Sequence, residues 1–185
     1  MSIVLGLSPF FVFFALMRLV SPVAGLVGAL AASALLCLGM RARGASVKIL
    51  EVGSVALFGL LTAYTLVAAP DWTVATVRLA VDAGLLAIVL VSLAIGRPFT
   101  LQYARERVPE AFWELPLFMT TNRIISVAWG INFAVLVAAD AAAEYVPAIP
   151  LWVDVAASVA AFVAAVWFTR WYPARVQRRA TGAVA

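Results

Sequence analysis

The chain has 185 residues, of which 65% are hydrophobic and 12% charged, with a mean hydropathy of +1.07. Soluble domains run at about 45–50% apolar and about 25% charged, so this composition excludes a single water-soluble core. A net charge of +4 and a pI near 9.8 would suggest nucleic acid in a soluble protein, but here the basic residues flank apolar segments, where they set topology and meet anionic lipid headgroups, and no nucleic-acid partner is expected.

The apolar residues come in blocks of roughly 18–22, the length that crosses ~30 Å of hydrocarbon at ~1.5 Å per residue. Runs such as "VAGLVGALAASALLCLGM" do not alternate as the strands of a membrane barrel do. The expected fold class is therefore all-α: a polytopic transmembrane helical bundle of about six spans. One transmembrane domain is expected over residues 1–172, followed by a basic, disordered cytoplasmic tail over 173–185.

The first span is read at 3–20. It has no basic residue before its apolar run and no small-residue cleavage site after it, so it is expected to be retained and not removed as a signal peptide. "VSPV" separates it from a second span at 23–40, and "RARGASVK" separates that from a third at 49–68. "AAPDW" leads to a fourth at 74–95. A long loop follows, then a fifth span at 124–143, "VPAIP", and a sixth at 151–169.

Short basic loops stay on the cytoplasmic side. Arg41, Arg43 and Lys48 mark one such loop, Arg97, Arg105, Arg107 and Arg123 a second, and Arg170, Arg175, Arg178 and Arg179 the tail. The opposite connections carry Asp71, Asp140, Glu144 and Asp154, with Arg18 as their one cation. The alternation predicts that both termini lie on the cytoplasmic side. Trp72, Tyr145, Trp152, Trp167, Trp171 and Tyr172 fall at the expected helix ends, as amphipathic interfacial anchors do. Ala24, Gly28 and Ala32 in the second span, and Ala156, Ala160 and Ala164 in the sixth, recur every fourth residue and allow close helix approach, within one chain or between chains.

In "GRPFTLQYARERVPEAFWELPLFMTTNR", residues 96–123, three prolines prevent one continuous helix while each permits a helix start. One or two short helices are expected along the cytoplasmic face, with Arg105 and Arg107 toward anionic headgroups and the aromatic residues dipped inward. Arg97, Tyr103, Arg105, Arg107, Phe112 and Trp113 are its candidate contact residues, whether to lipid or to a partner protein.

The fourth span contains "VRLAVDAGLLAIVL", which places Arg78 and Asp82 on one helix face a turn apart. Near a bilayer centre either charge costs about 2.5–3.5 kcal/mol, so pairing, the protein interior or water must compensate. Three readings stand open: a packed structural ion pair, a polar cavity that also involves Arg18 and takes an anionic headgroup or small solute, and a proton or ion relay. The absence of histidine and the scarcity of other intramembrane carboxylates weigh against the relay. Lacking histidine, and with Cys37 its single cysteine, the chain offers no metal, haem or Ser-His constellation; neither enzyme activity nor a cofactor is expected.

"PFFVFFALMR" (9–18), "VAGLVGAL" (23–30), "ALFGLLT" (56–62), the Arg78 region, "IGRP" (95–98) and "NRIISVAWGINF" (122–133) resemble, in order and approximate spacing, the bacterial inner-membrane family called intracellular septation protein A. The similarity covers most of residues 9–145. It implies a five-span protein associated with cell division and envelope synthesis that acts through contacts with other membrane proteins. It also implies importance for the basic positions Arg18 and Arg78, and it supplies no catalytic residues. The expected function is a membrane scaffold or accessory protein with membrane-protein partners or a second copy of itself. The alternative is a small carrier or lipid-binding protein using Arg18, Arg78 and Asp82.

Overall fold

In the computed structural model, residues 3–68, 71–146 and 151–182 are described, with side chains in the last segment over 155–179. The described residues are all-α, with no strand among them. Eight helices follow in order: α1 (Ile3–Gly6), α2 (Ser8–Leu19), α3 (Pro22–Ala42), α4 (Ile49–Ala68), α5 (Val74–Ala94), α6 (Phe99–Arg105), α7 (Pro116–Tyr145) and α8 (Leu151–Gly182). A single 3-10 turn, Glu110–Phe112, lies between α6 and α7. Helices α3, α4, α5, α7 and α8 are long and apolar enough to cross a membrane.

The expected first span is two helices. Pro9 has no amide hydrogen and its ring crowds the carbonyl four residues back, so the chain turns at Leu7 and α2 restarts with Pro9 inside its first turn. The 12 residues of α2 rise ~18 Å, well short of ~30 Å of hydrocarbon, and α1 with α2 together reach only the lower limit of about 17 residues for a span.

The later helix ends follow local chemistry. Ser21 caps α3 by accepting the Ala24 amide at 3.1 Å, with Pro22 at the first helical position. Thr73 caps α5 through the Thr76 amide at 3.0 Å. At the other ends of α3 and α5 stand Gly44 and Gly96, with φ of 68° and 69°. Each closes a Schellman motif: Ala45 N–H donates to Met40 O and Gly44 N–H to Arg41 O, and Arg97 N–H donates to Ser92 O and Gly96 N–H to Leu93 O.

Two helices outrun their expected spans. Helix α7 begins at Pro116, well before 124, because proline fits a first helical turn. Helix α8 continues through Pro173 to Gly182, so the segment expected to be a disordered tail from 173 is helical over most of its length. Its Ala, Arg, Val and Gln residues mostly favour helix, and a hydropathy reading ends a span where the lipid ends, not where the helix does. The side chains of Trp152 and Asp154, and residues 1–2, 69–70, 147–150 and 183–185, lie outside the described residues.

The chain divides into two compact units, Met1–Ile88 and Val89–Ala185. In the first, α2 packs on α3 and α3 on α4, around Phe10, Phe13, Leu26 and Phe58. The Phe10 and Phe58 rings lie 5.0 Å apart. Gly25 and Gly28 admit α2 closely: a Cβ on Gly25 would lie 3.0 Å from both Met17 Cβ and the Phe13 carbonyl oxygen, and one on Gly28 would strike the Leu16 side chain. The small-residue face of α3 thus serves packing within the chain. On α8, Ala156, Ala160 and Ala164 are exposed.

In the second unit α6 packs on α7 and α7 on α8, with Trp129 fully buried at the centre. Its ring meets Phe99, Phe133 and Phe162 at 6.4, 5.6 and 5.8 Å. Its indole N–H donates to Thr169 Oγ1 at 2.9 Å, and the Thr169 hydroxyl donates in turn to the Ala165 carbonyl at 2.8 Å.

Candidate functional site

The intramembrane charges lie in the first unit. Helix α5 brings Arg78 and Asp82 to one buried face, at 5% and 2% exposure, and each has an interaction partner. The Arg78 guanidinium carbon stands 5.8 Å from the centroid of the Phe14 ring of α2, a cation–π contact that gains strength away from water. Arg18, one turn beyond Phe14 on α2, is exposed and is not buried with them. The arrangement holds two opposite charges inside packed protein.

Near this end of the unit, Trp72 folds back on α4. Its indole N–H donates to Thr65 Oγ1 at 2.7 Å, the Thr65 hydroxyl donates to the Leu61 carbonyl at 2.7 Å, and the Trp72 ring meets Tyr64 edge-on at 5.8 Å. Trp72 is therefore fixed by a hydrogen bond inside the protein as well as being amphipathic. Thr62, one turn earlier, is buried with no partner at its hydroxyl oxygen.

Three buried charges were not expected from the sequence. Lys48, read as a solvated loop cation, is 0% exposed, and Glu51 is 1% exposed. Glu51 occupies the third helical position of α4 and accepts the backbone N–H of Lys48 at 3.1 Å, the reciprocal half of a capping box. Lys48 Nζ donates to the Ser46 carbonyl at 3.3 Å. The Lys-x-x-Glu spacing was the available signal. Asp140, read as an outer-loop acid, lies inside α7 at 1% exposure, so Asp82 is not alone among carboxylates buried in long apolar helices. Asn132, two turns before it, is buried with no partner at either amide atom.

The 96–123 segment, in the second unit, is more tightly tied than a surface helix. Phe99, Thr100, Leu101 and Tyr103 of α6 are buried. The Thr100 hydroxyl donates to the Asn122 carbonyl at 2.8 Å and lies 2.7 Å from Ser126 Oγ, while the Phe99 amide donates to Ser92 Oγ at 3.3 Å. Asn122 and Ser126, one turn apart on α7, are the anchors that the sequence reading missed.

Of the candidate contact residues, Tyr103 is inside and unavailable to a partner. The Arg105 guanidinium lies 5.1 Å over the Trp113 ring and 3.7 Å from a Glu114 carboxylate oxygen. Trp113 donates its indole N–H to the Val108 carbonyl at 2.9 Å. Arg97, Arg107 and Phe112 are exposed, so these three are available as the segment's outward contacts.

Among the described residues no group of His, Cys, Asp or Glu is placed to hold a metal ion. No known protein family, curated protein or solved structure matches the chain.

Proposed function

We propose that this protein is an integral membrane scaffold or accessory protein of the bacterial inner membrane, working through helix faces and the 96–123 segment and without a reaction of its own. In this reading α1 and α2 together carry the chain across, and both termini face the cytoplasm. Exposed Arg41 and Arg43, Arg97 and Arg107, and Arg175 and Arg179 then lie on one side. The link to cell division and envelope synthesis draws on the resemblance to the septation family alone.

One observation carries the scaffold reading. Arg78 and Asp82 are buried one turn apart with the Arg78 guanidinium against Phe14, while Arg18 is exposed. A carrier would need those three groups gathered at an accessible polar site. Packed charges instead serve to fix helices against one another, and removing one of two such charges strands the other at a cost of about 3–5 kcal/mol.

The test compares accumulation in membranes. Arg78→Ala is expected to reduce it more than Arg78→Ala combined with Asp82→Ala. If the double change is the worse, the two charges are not mainly structural. If both variants accumulate normally while a transport or lipid-binding activity disappears, the carrier reading replaces this one.

A further inference from the structure

The geometry points to a binding site for an anionic phospholipid headgroup on one face of α8, built from Trp167, Trp171, Arg175 and Arg178. The site rests on the membrane reading proposed above.

Length brings the face to the right depth. The 32 residues of α8 rise ~48 Å, against ~30 Å of hydrocarbon and about 40–45 Å with both headgroup zones. The C-terminal part of α8 therefore passes through one headgroup layer. At ~100° per residue, positions 167, 171, 175 and 178 fall within ~80° of one another, and Arg175 and Arg178 stand ~6 and ~10 Å beyond Trp171 along the axis. If the tryptophans mark the hydrocarbon border, the guanidinium groups sit at phosphate depth.

The side chains are ordered as a ladder. The Trp167 and Trp171 rings stack at 5.2 Å and 16°, and the Arg175 guanidinium carbon lies 5.0 Å over the Trp171 ring. Arg178 Nε donates to the Ala174 carbonyl at 3.3 Å, which lays its stem along the helix. Trp167, Arg175 and Arg178 are exposed. A planar guanidinium held by an aromatic ring presents paired donors that match phosphate oxygens.

Charge selects the occupant. No acidic residue occurs between Val155 and Gly182, whereas Arg170, Arg175, Arg178 and Arg179 all do. The same face of a second copy would bring arginines against arginines, and zwitterionic lipid offers no net charge to neutralise them.

The test uses the purified full chain in nanodiscs and measures bound lipid by native mass spectrometry, with phosphatidylglycerol and phosphatidylcholine as probes. The wild type is expected to retain phosphatidylglycerol preferentially. Arg175→Gln and Arg178→Gln are each expected to weaken it about fivefold, and the double variant about 25-fold. Arg107→Gln, at an exposed arginine of the other basic segment, is expected to leave it unchanged. An unaltered preference in the double variant, an equal loss in Arg107→Gln, or equal retention of inorganic phosphate overturns the site. Failure of the chain to enter nanodiscs contradicts the membrane reading itself; entry without a preference contradicts only this site.

Discussion

Gly25 and Gly39 lie on the same helix, α3, and the same substitution is expected to act on them in opposite directions. A Cβ on Gly25 would stand 3.0 Å from both Met17 Cβ and the Phe13 carbonyl oxygen, whereas one on Gly39 would meet nothing within 4 Å. Gly→Ala in a helix interior gains about 0.5–1 kcal/mol by removing backbone freedom, and this gain is common to both sites. Overpacking at a tight contact costs about 1–3 kcal/mol, and it applies only at Gly25, because a Cβ and a main-chain oxygen cannot rotate away. The difference between Gly25→Ala and Gly39→Ala is thus about 1–3 kcal/mol in favour of the latter, which at about 2–4 °C per kcal/mol for a chain of this size is readable as a melting shift in detergent. Equal melting temperatures, or a more stable Gly25→Ala, would refute the close approach of α2 to α3.

Further expectations follow from single contacts in the second unit. Asn132→Leu should stabilise the protein by about 1–2 kcal/mol, because it removes an amide buried without partners; a loss of stability in the same melting assay would mean that the amide is bonded to something. Thr169→Val should cost about 1–3 kcal/mol by stranding the Trp129 indole, visible as a change in tryptophan emission together with a lower melting point. Ser126→Ala should loosen α6, detected as faster amide exchange over 99–105 with little change in α8. Glu114→Gln should change stability by less than about 0.5 kcal/mol, since its carboxylate is solvent-exposed.

Much of this fold could be read from apolar block length. The third span, 49–68, coincides with α4, and the second and fourth fall within two residues of α3 and α5. The misreadings have two causes. A hydropathy pattern follows the apolar block, so it stops short of helices such as α7 and α8 that run on past it. It also ignores backbone chemistry, and so passed over Pro9, which divides the first apolar block.

The site was half legible. Arg78 and Asp82 share a helix face by spacing alone, and both are buried together. The Lys48–Glu51 cap had a local signal in its spacing, whereas the burial of Asp140 depends on neighbours that no local pattern specifies. Arg105 illustrates the same limit: its contacts with Trp113 and Glu114 depend on how the chain turns back after α6.

The account stands on long helices crossing a bilayer with their arginine-rich ends on one side. After Cys37→Ala, single cysteines at Asp71, Arg107 and Gln177 can be tested with a membrane-impermeant maleimide in intact cells and in inside-out membranes. Position 71 should react in intact cells, and 107 and 177 only in inside-out membranes. Reaction of 107 and 177 from opposite sides, or of all three in intact cells, would contradict it.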